Sequence, residues 1–352
     1  MSRRMRGYVM RAFGAPDVME LVDDLPVPEP ADGEVLIRVQ AIALARTKDV
    51  AMRAGRPPFA PRVSLPHTPG TEHAGVIEAV GTNVDPALLG TRVAVSAVLT
   101  CGACRACRRG REEACADFRL VGVDRPGCYA EFVTVPAANA FPIPDDLPIA
   151  HAAALAANGP VARAQLDAGS VGSGDVVAIM GAAGALGSTA ACLAHHRGAS
   201  VIAVDRVASK AGLLAALPAD GIFDGADPEL AAKLRAHTGG WGIDCVVDNL
   251  GLPDLWLAYR PAVATLGRIV VSGAIGRDAI PMELLPFYLH SQSLIGVRTG
   301  NFTQMAGLWS DVSAGFRLPG TVVRTMPWTD MPQAHAMVEN GAAIAQTVLE
   351  VS

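Results

Sequence analysis

Val176-Val177-Ala178-Ile179-Met180-Gly181-Ala182-Ala183-Gly184-Ala185-Leu186-Gly187 decides the fold of this chain. The apolar run at its start reads as a strand buried on both faces. The glycines turn the chain, and Ala185–Arg197 reads as a helix. Each part of the turn has a task. A tight bend after Gly181 brings the helix N-terminus up to a pyrophosphate, beside Ala185 and Leu186. Gly184 lets the backbone approach that group, and Gly187 lets the helix pack on the strand. The next run, Val201-Ile202-Ala203-Val204, ends in Asp205, where a carboxylate can accept from both hydroxyls of a ribose. A carboxylate repels a 2′-phosphate, so NAD(H) is favoured over NADP(H). Arg206 and Lys210 act in the opposite direction.

Working outward, Ile149–Leu166 and Ala208–Leu217 read as helices, and Cys245–Val247 and Arg268–Val271 as further buried runs. Short apolar runs separated by helices predict an α/β doubly wound parallel sheet. Upstream the pattern changes. Gly33–Ala41, Ala74–Gly81 and Thr91–Val95 read as short strands. Prolines at 26, 28, 30, 57, 58, 61, 66 and 69 interrupt the segments between them. This predicts a β-rich domain, a small barrel or sandwich. The last fifty residues hold one expected helix, Met331–Asn340, and a closing strand, Thr347–Val351.

Cys101, Cys104, Cys107 and Cys115 have the spacing C-x2-C-x2-C-x7-C. Four thiolates close a tetrahedral zinc site with no open position, which is a structural arrangement. An iron–sulfur cluster also takes four cysteines. The long last gap and the arginine-rich insert 105–111 favour a zinc-held loop. Cys128, Cys192 and Cys245 stand alone in apolar surroundings and read as buried small residues. The 352 residues suit two domains. A net charge of −5 disfavours nucleic acid as a partner. No apolar run is long enough for a bilayer, and no apolar stretch follows the basic N-terminus, so a cytoplasmic protein is expected.

A zinc lobe followed by this glycine turn resembles the medium-chain dehydrogenase/reductase superfamily, the group of zinc alcohol dehydrogenases and quinone oxidoreductases. Pro69-Gly70-Thr71-Glu72-His73-Ala74-Gly75 is similar to that family's G-H-E-x-x-G segment, and Gly239–Gly251 to the fourth strand of its cofactor domain. The resemblance implies a GroES-like catalytic domain over 1–156, with the zinc lobe at about 98–118, completed by 301–352. It implies a Rossmann domain over 157–300, with Asn249, Gly273, Ala274 and Val297 beside the cofactor. It also implies a homodimer, paired through the strand near Ser293–Arg298, and a small-molecule substrate.

The departures from the family pattern carry most of the information. Zinc-dependent members hold a catalytic ion with a Cys, the His of G-H-E and a further Cys or Glu. Here those places fall at Arg46, Thr71 and Asn158. Arginine has no lone pair to give, and Thr and Asn are poor zinc ligands. One structural zinc per chain and no catalytic zinc is therefore expected. His67, Glu72, His73 and Cys128 are the raw materials for a rebuilt site.

Without an ion, reduction of a conjugated C=C is the expected chemistry, because donors or a fixed cation can steady the enolate. Arg46 is the candidate cation, and its guanidinium could equally grip a carboxylate or phosphate on the substrate. Lys48 is a candidate proton donor or cofactor contact, Thr71 and Asn158 are candidate hydrogen-bonding groups, and Glu72 is an expected partner for Arg46. Asp49 reads as a structural cap. Phe59, Phe118, Tyr288, Phe302 and Trp309 are candidate pocket walls or packing residues. Two other readings are a zinc-dependent alcohol or polyol dehydrogenase with a rearranged site, and a cofactor-binding protein of low turnover.

Overall fold

The computed structural model describes residues 3–275, 278–343 and 346–352. Residues 276 and 277 of the expected substrate loop 275–305, and the first two residues of the basic N-terminus, lie outside the described residues. The chain divides into two compact units. One comprises Met1–Ala157, Asn301–Ser313 and Val323–Ser352, and the other Asn158–Gly300 and Ala314–Val322.

The first unit is built on a seven-stranded sheet. Glu34–Ala43 is central and pairs antiparallel with Glu72–Val80, Phe132–Pro136 and Gln346–Glu350. Its alternating apolar side chains Val35, Ile37 and Val39 enter one core with Ile77, Val93, Val95 and Leu349. The closing strand and the C-terminal helix Met331–Glu339 bring Trp328, Met331 and Ala334 into that same core. Full burial of each large apolar side chain contributes about 1.5–3 kcal/mol. This is why the chain's last thirty residues return to its first strands.

The second unit is a six-stranded parallel sheet. In spatial order its strands are Gly221–Asp224, Ser200–Asp205, Val176–Met180, Ile243–Asp248, Val263–Val271 and Ser293–Gly296. Sequence order reverses between Val176–Met180 and Ile243–Asp248. That is the switch point of a Rossmann sheet, outside whose carboxyl ends a ligand binds. Ala178, Ile179, Val201, Ile202, Cys245, Val246 and Val247 are buried, as a sheet covered on both faces requires.

Several expectations need correction. The helix expected to end at Leu166 runs from Ile149 to Ala168, straight through Asn158-Gly159-Pro160. The helix expected over Ala208–Leu217 spans Val207–Leu214. Helices Leu230–His237, Pro253–Tyr259 and Phe302–Ser313 were not expected. The last of these buries Met305, Leu308, Trp309 and Val312, an i, i+3, i+4, i+7 stripe legible in the sequence.

Trp309 is therefore core, and Phe302 packs on Phe141. Phe59 and Phe118 pack against the first unit's core, while Tyr288 is exposed. No helix among the described residues is long and apolar enough to cross a membrane.

Candidate functional site

The glycine turn shows why its residue types are needed. Gly181 has φ +74°, a left-handed conformation that side chains resist. A Cβ on Gly187 would stand 2.1 Å from the Gly181 carbonyl oxygen, a backbone atom that cannot move aside. Gly187→Ala is accordingly expected to cost about 1–3 kcal/mol and to weaken dinucleotide binding. Thermal unfolding and a dinucleotide titration check this. Gly184 is exposed and precedes the first turn of the helix Ala185–His196. Gly187 is buried, and Ala185 and Leu186 are half-buried. The leading N–H groups of that helix have no intrahelical partner and suit a pyrophosphate.

Asp205 Oδ2 accepts from the Ala183 N–H at 2.9 Å, and Oδ1 from the Arg206 N–H at 2.8 Å. The carboxylate thus ties the glycine turn to its own strand end. Each oxygen keeps a further lone pair for a ribose hydroxyl. Arg206 is exposed and Lys210 half-buried, and neither makes an ion pair among the described residues.

Across the switch point, Asn249 Oδ1 accepts from Gln165 Nε2 at 2.7 Å. Gly273 passes so close that a Cβ there would be 2.0 Å from the Asn249 carbonyl oxygen. Ala274 is exposed beside it, and the Val297 N–H donates to the Val271 carbonyl at 2.9 Å.

In the first unit, the four thiols of Cys101, Cys104, Cys107 and Cys115 lie within 4.8 Å of one another. The Cys104–Cys107 and Cys101–Cys115 sulfur pairs are 3.5 and 3.6 Å apart. Tetrahedral zinc with bonds of about 2.3 Å places its sulfurs about 3.8 Å apart, so the residues fit this metal. Backbone N–H groups of Cys107 and Ala116 pull the Cys104 thiol down to about 6. Desolvation and the neighbouring Cys104 and Cys115 push Cys107 up to about 12. Crowded thiols resist losing all their protons together, a conflict that a divalent cation removes.

A second polar cluster lies in the first unit, around Arg46 and Thr71, two of the positions at which the family resemblance implies a metal ligand. Residues Arg46–Val50 form one wide, π-helical turn. This turn brings Lys48 to Glu72, with Nζ 2.7 Å from Oε1. The Glu72 side chain is 4% exposed and that of Lys48 22%. The expected partnership of Glu72 with Arg46 is corrected here, since Lys48 occupies that carboxylate and Arg46 is exposed. The turn faces Arg46 outward and Lys48 inward.

Asp49 is fully buried and does more than cap. Oδ2 accepts from the Ala45 N–H at 3.1 Å, and Oδ1 from the Thr71 hydroxyl at 3.1 Å. Burial, then the nearby Glu72 charge, raise its carboxyl to about 7 despite Lys48 and these donors. Thr71 is spent on Asp49, and Asn158 stands within the helix Ile149–Ala168 as the first residue of the second unit.

The donor set does not fit a zinc ion at the three family positions: an outward arginine, a threonine engaged elsewhere and an amide. The other candidate ligands are dispersed. His67 Nε2 pairs with the Gly122 carbonyl at 2.9 Å. His73 is buried with neither ring nitrogen paired, and burial lowers it to about 3. Cys128 is buried, with Sγ 3.8 Å from the Glu72 carbonyl oxygen. Among the described residues only the four cysteines gather as a metal-holding group.

Tyr129 and His335 escaped the sequence reading. They lie 206 positions apart, yet their side chains meet at 2.9 Å in the buried interior. No local spacing carries such a signal.

Comparison with known proteins agrees with this architecture. Residues 31–145 match the family model of the alcohol dehydrogenase GroES-like domain, and residues 185–314 that of the zinc-binding dehydrogenases. An NAD-dependent alcohol dehydrogenase of Sulfurisphaera tokodaii is 30% identical over 359 residues, covering 98% of this chain and 99% of that protein. The crystal structure of an NAD-dependent alcohol dehydrogenase superposes with a TM-score of 0.87 at 32% identity, covering 99% of this chain and all of the other. A mycobacterial quinone oxidoreductase superposes with a TM-score of 0.79 at 28% identity, covering 98% and 99%. The nucleotide-binding turn at the switch point, the cysteine lobe and these full-length likenesses lead to one assignment: the chain belongs to the medium-chain dehydrogenase/reductase superfamily and is an NAD(P)-dependent oxidoreductase.

Proposed function

We propose that this enzyme reduces an activated C=C bond, as in an enone or quinone, and that Lys48 supplies the positive charge a catalytic metal supplies elsewhere in the superfamily. The observation that carries the reading is the Lys48–Glu72 pair at 2.7 Å. Glu72 holds the ammonium in one place through one of its three N–H groups. The other two N–H groups remain to donate to an oxygen of the substrate. Bound reduced nicotinamide supplies a hydride to the β-carbon of the alkene. Negative charge then spreads onto the carbonyl oxygen, and Lys48 steadies it with a preorganised, partly desolvated charge. A proton taken from solvent water by the α-carbon completes the reduction.

Arg46, on the outward face of the same turn, suits an anionic group carried by the substrate. Thr71 holds the Asp49 carboxyl and supports the turn from below. The carboxylate of Asp205, with a lone pair left on each oxygen, favours NAD(H) as the cofactor, and the structural zinc belongs to the cysteine lobe. The likeness to a quinone oxidoreductase is in keeping with this substrate class.

The test combines metal analysis with a substrate panel. About one zinc per chain is expected, together with oxidation of reduced nicotinamide by enones or quinones and none by simple ketones. About two zinc ions per chain with alcohol turnover would establish the rearranged-zinc alcohol dehydrogenase instead. Cofactor binding without turnover of any class would mark a low-turnover binding protein.

A further inference from the structure

The turn Arg46–Val50 meets the start of the strand Glu72–Val80 through two rungs of side chains. Lys48 Nζ lies 2.7 Å from Glu72 Oε1, and Asp49 Oδ1 accepts from the Thr71 hydroxyl at 3.1 Å. Residues 48 and 49 thus pair with 72 and 71, one neighbour beside the other. Thr71 and Asp49 show no exposure to solvent, and Glu72 is buried with them. The inner rung is out of reach of water, which would otherwise compete for both of its partners.

The residue before the turn closes it. The Ala45 carbonyl accepts from the Val50 N–H, five residues on, at 3.2 Å, and the buried Ala45 N–H donates to Asp49 Oδ2 at 3.1 Å. Asp49 therefore closes the turn with one oxygen and ties it to Thr71 with the other. Successive side chains on such a turn point roughly a quarter-turn apart, so two neighbours engaged at once fix its rotation. A slip of one residue would set Thr47 or Asp49 against Glu72, a neutral hydroxyl or a like charge. Beyond the turn the chain has its own anchors. Val50 and Met52 lie in the core, and Arg53, which is 1% exposed, pairs with Glu339 and donates to the Gly14 carbonyl. Loss of the inner rung can thus release residues 46–49 while the chain after them stays in place.

We propose that Thr71 and Asp49 are positioning residues, whose hydrogen bonds to each other and to Ala45 set the register of the turn so that Lys48, and not Arg46, meets Glu72 and the substrate oxygen. This inference rests on the reading of Lys48 as the catalytic cation. Thr71 stands where the family resemblance implies a metal ligand, and its hydroxyl serves to place a protein cation instead.

The chain has three lysines, Lys48, Lys210 and Lys233, so the register can be read by trace acetylation of the full enzyme, followed at each lysine by mass spectrometry. In the parent enzyme Lys48, held by Glu72, should react slowly. Thr71→Val keeps the shape of the side chain and removes its donor. Lys48 should then react about tenfold faster, the protection given by one hydrogen bond, with Lys210 and Lys233 unchanged. Thr71→Ala is the second variant lacking the donor. Thr71→Ser, which keeps the hydroxyl, should protect Lys48 as the parent does. Asp49→Asn should also keep Lys48 slow, because its amide offers an oxygen to the Ala45 N–H and an N–H to the Thr71 oxygen. Zinc content and thermal unfolding confirm that each variant is folded.

The kcat/KM for an enone should fall about tenfold in Thr71→Val, chiefly through kcat, and should not fall further when Thr71→Val is added to Lys48→Met. A Lys48 no more reactive in the two donor-lacking variants than in the parent overturns the proposal, as does a fast Lys48 in Thr71→Ser or Asp49→Asn. A further fall of kcat/KM in the Lys48→Met background shows that Thr71 acts by another route and overturns the positioning role. A fast Lys48 with an unchanged kcat/KM upholds the register and overturns the catalytic reading of Lys48.

Discussion

Lys48→Met lowers kcat/KM for an enone by about 10²- to 10³-fold, chiefly through kcat, the loss expected for one preorganised donor to a developing oxyanion. Among the described residues the ammonium is the only cation paired with Glu72, and a Met side chain fills nearly the same length without the charge. Cofactor affinity should be unchanged, because the glycine turn lies in the other unit.

The variant also leaves Glu72 buried beside Asp49 with no counter-charge, which costs stability of about 3–5 kcal/mol. Stability and catalysis therefore have to be separated. Lys48→Met combined with Glu72→Gln removes both charges. This double variant should recover most of the lost stability and none of the activity. Steady-state kinetics and denaturant unfolding of the two variants read the two effects independently. If the single variant keeps full kcat on a substrate of this class, Lys48 is a structural partner of Glu72 and the proposed chemistry fails.

Loss of one sulfur from the cysteine lobe should have the second largest effect. Of residues 101–119 only Cys115 is buried, so this loop has almost no core of its own. Its far end is tied by the pairing of Arg119 with Leu99 and by Arg62, which donates to the Phe118 carbonyl at 3.2 Å; the rest is held by the four thiols and by Asn301, whose Nδ2 donates to the Gly110 carbonyl at 2.9 Å and to Glu113 at 3.1 Å. Structural zinc holds such segments by binding energy alone. Cys115→Ser should therefore release about one zinc per chain and open the lobe. Arg105, Arg108, Arg109 and Arg111 are exposed on it, so limited trypsin digestion should cut there rapidly in the variant and slowly in the parent enzyme. Equal digestion rates would show that the lobe folds without its metal.

The parts of the molecule legible beforehand share one property: their meaning is local. The turn Gly181–Gly187 lies within a single strand-turn-helix unit, and the structure adds only the atom that forbids a Cβ at Gly187. Cys101–Cys115 fall in one loop and form one cluster. The buried strands Val176–Met180 and Ser200–Asp205 announce themselves as apolar runs, because a sheet covered on both faces needs no alternation. The helix Phe302–Ser313 is equally local, since its buried stripe Met305, Leu308, Trp309 and Val312 stands at helical spacing in the sequence.

The charged cluster was only half legible. Arg46, Lys48, Thr71 and Glu72 could be singled out from the amino-acid sequence, but their partners could not be. A rotation of one residue within the turn Arg46–Val50 exchanges the inward and outward cations, and composition is blind to it.

The amino-acid sequence by itself determined a dinucleotide-binding parallel sheet, a β-rich companion domain and a metal-holding cysteine lobe. Side-chain chemistry at fixed local spacing is sufficient for each of these. Only the tertiary structure decided that Glu72 holds Lys48, that Asp49 is sealed away from solvent and that Tyr129 meets His335. Those relations join residues up to 206 positions apart through a shared core. The free energy that brings them together is the burial of apolar surface, which is non-directional and leaves no mark in any single segment.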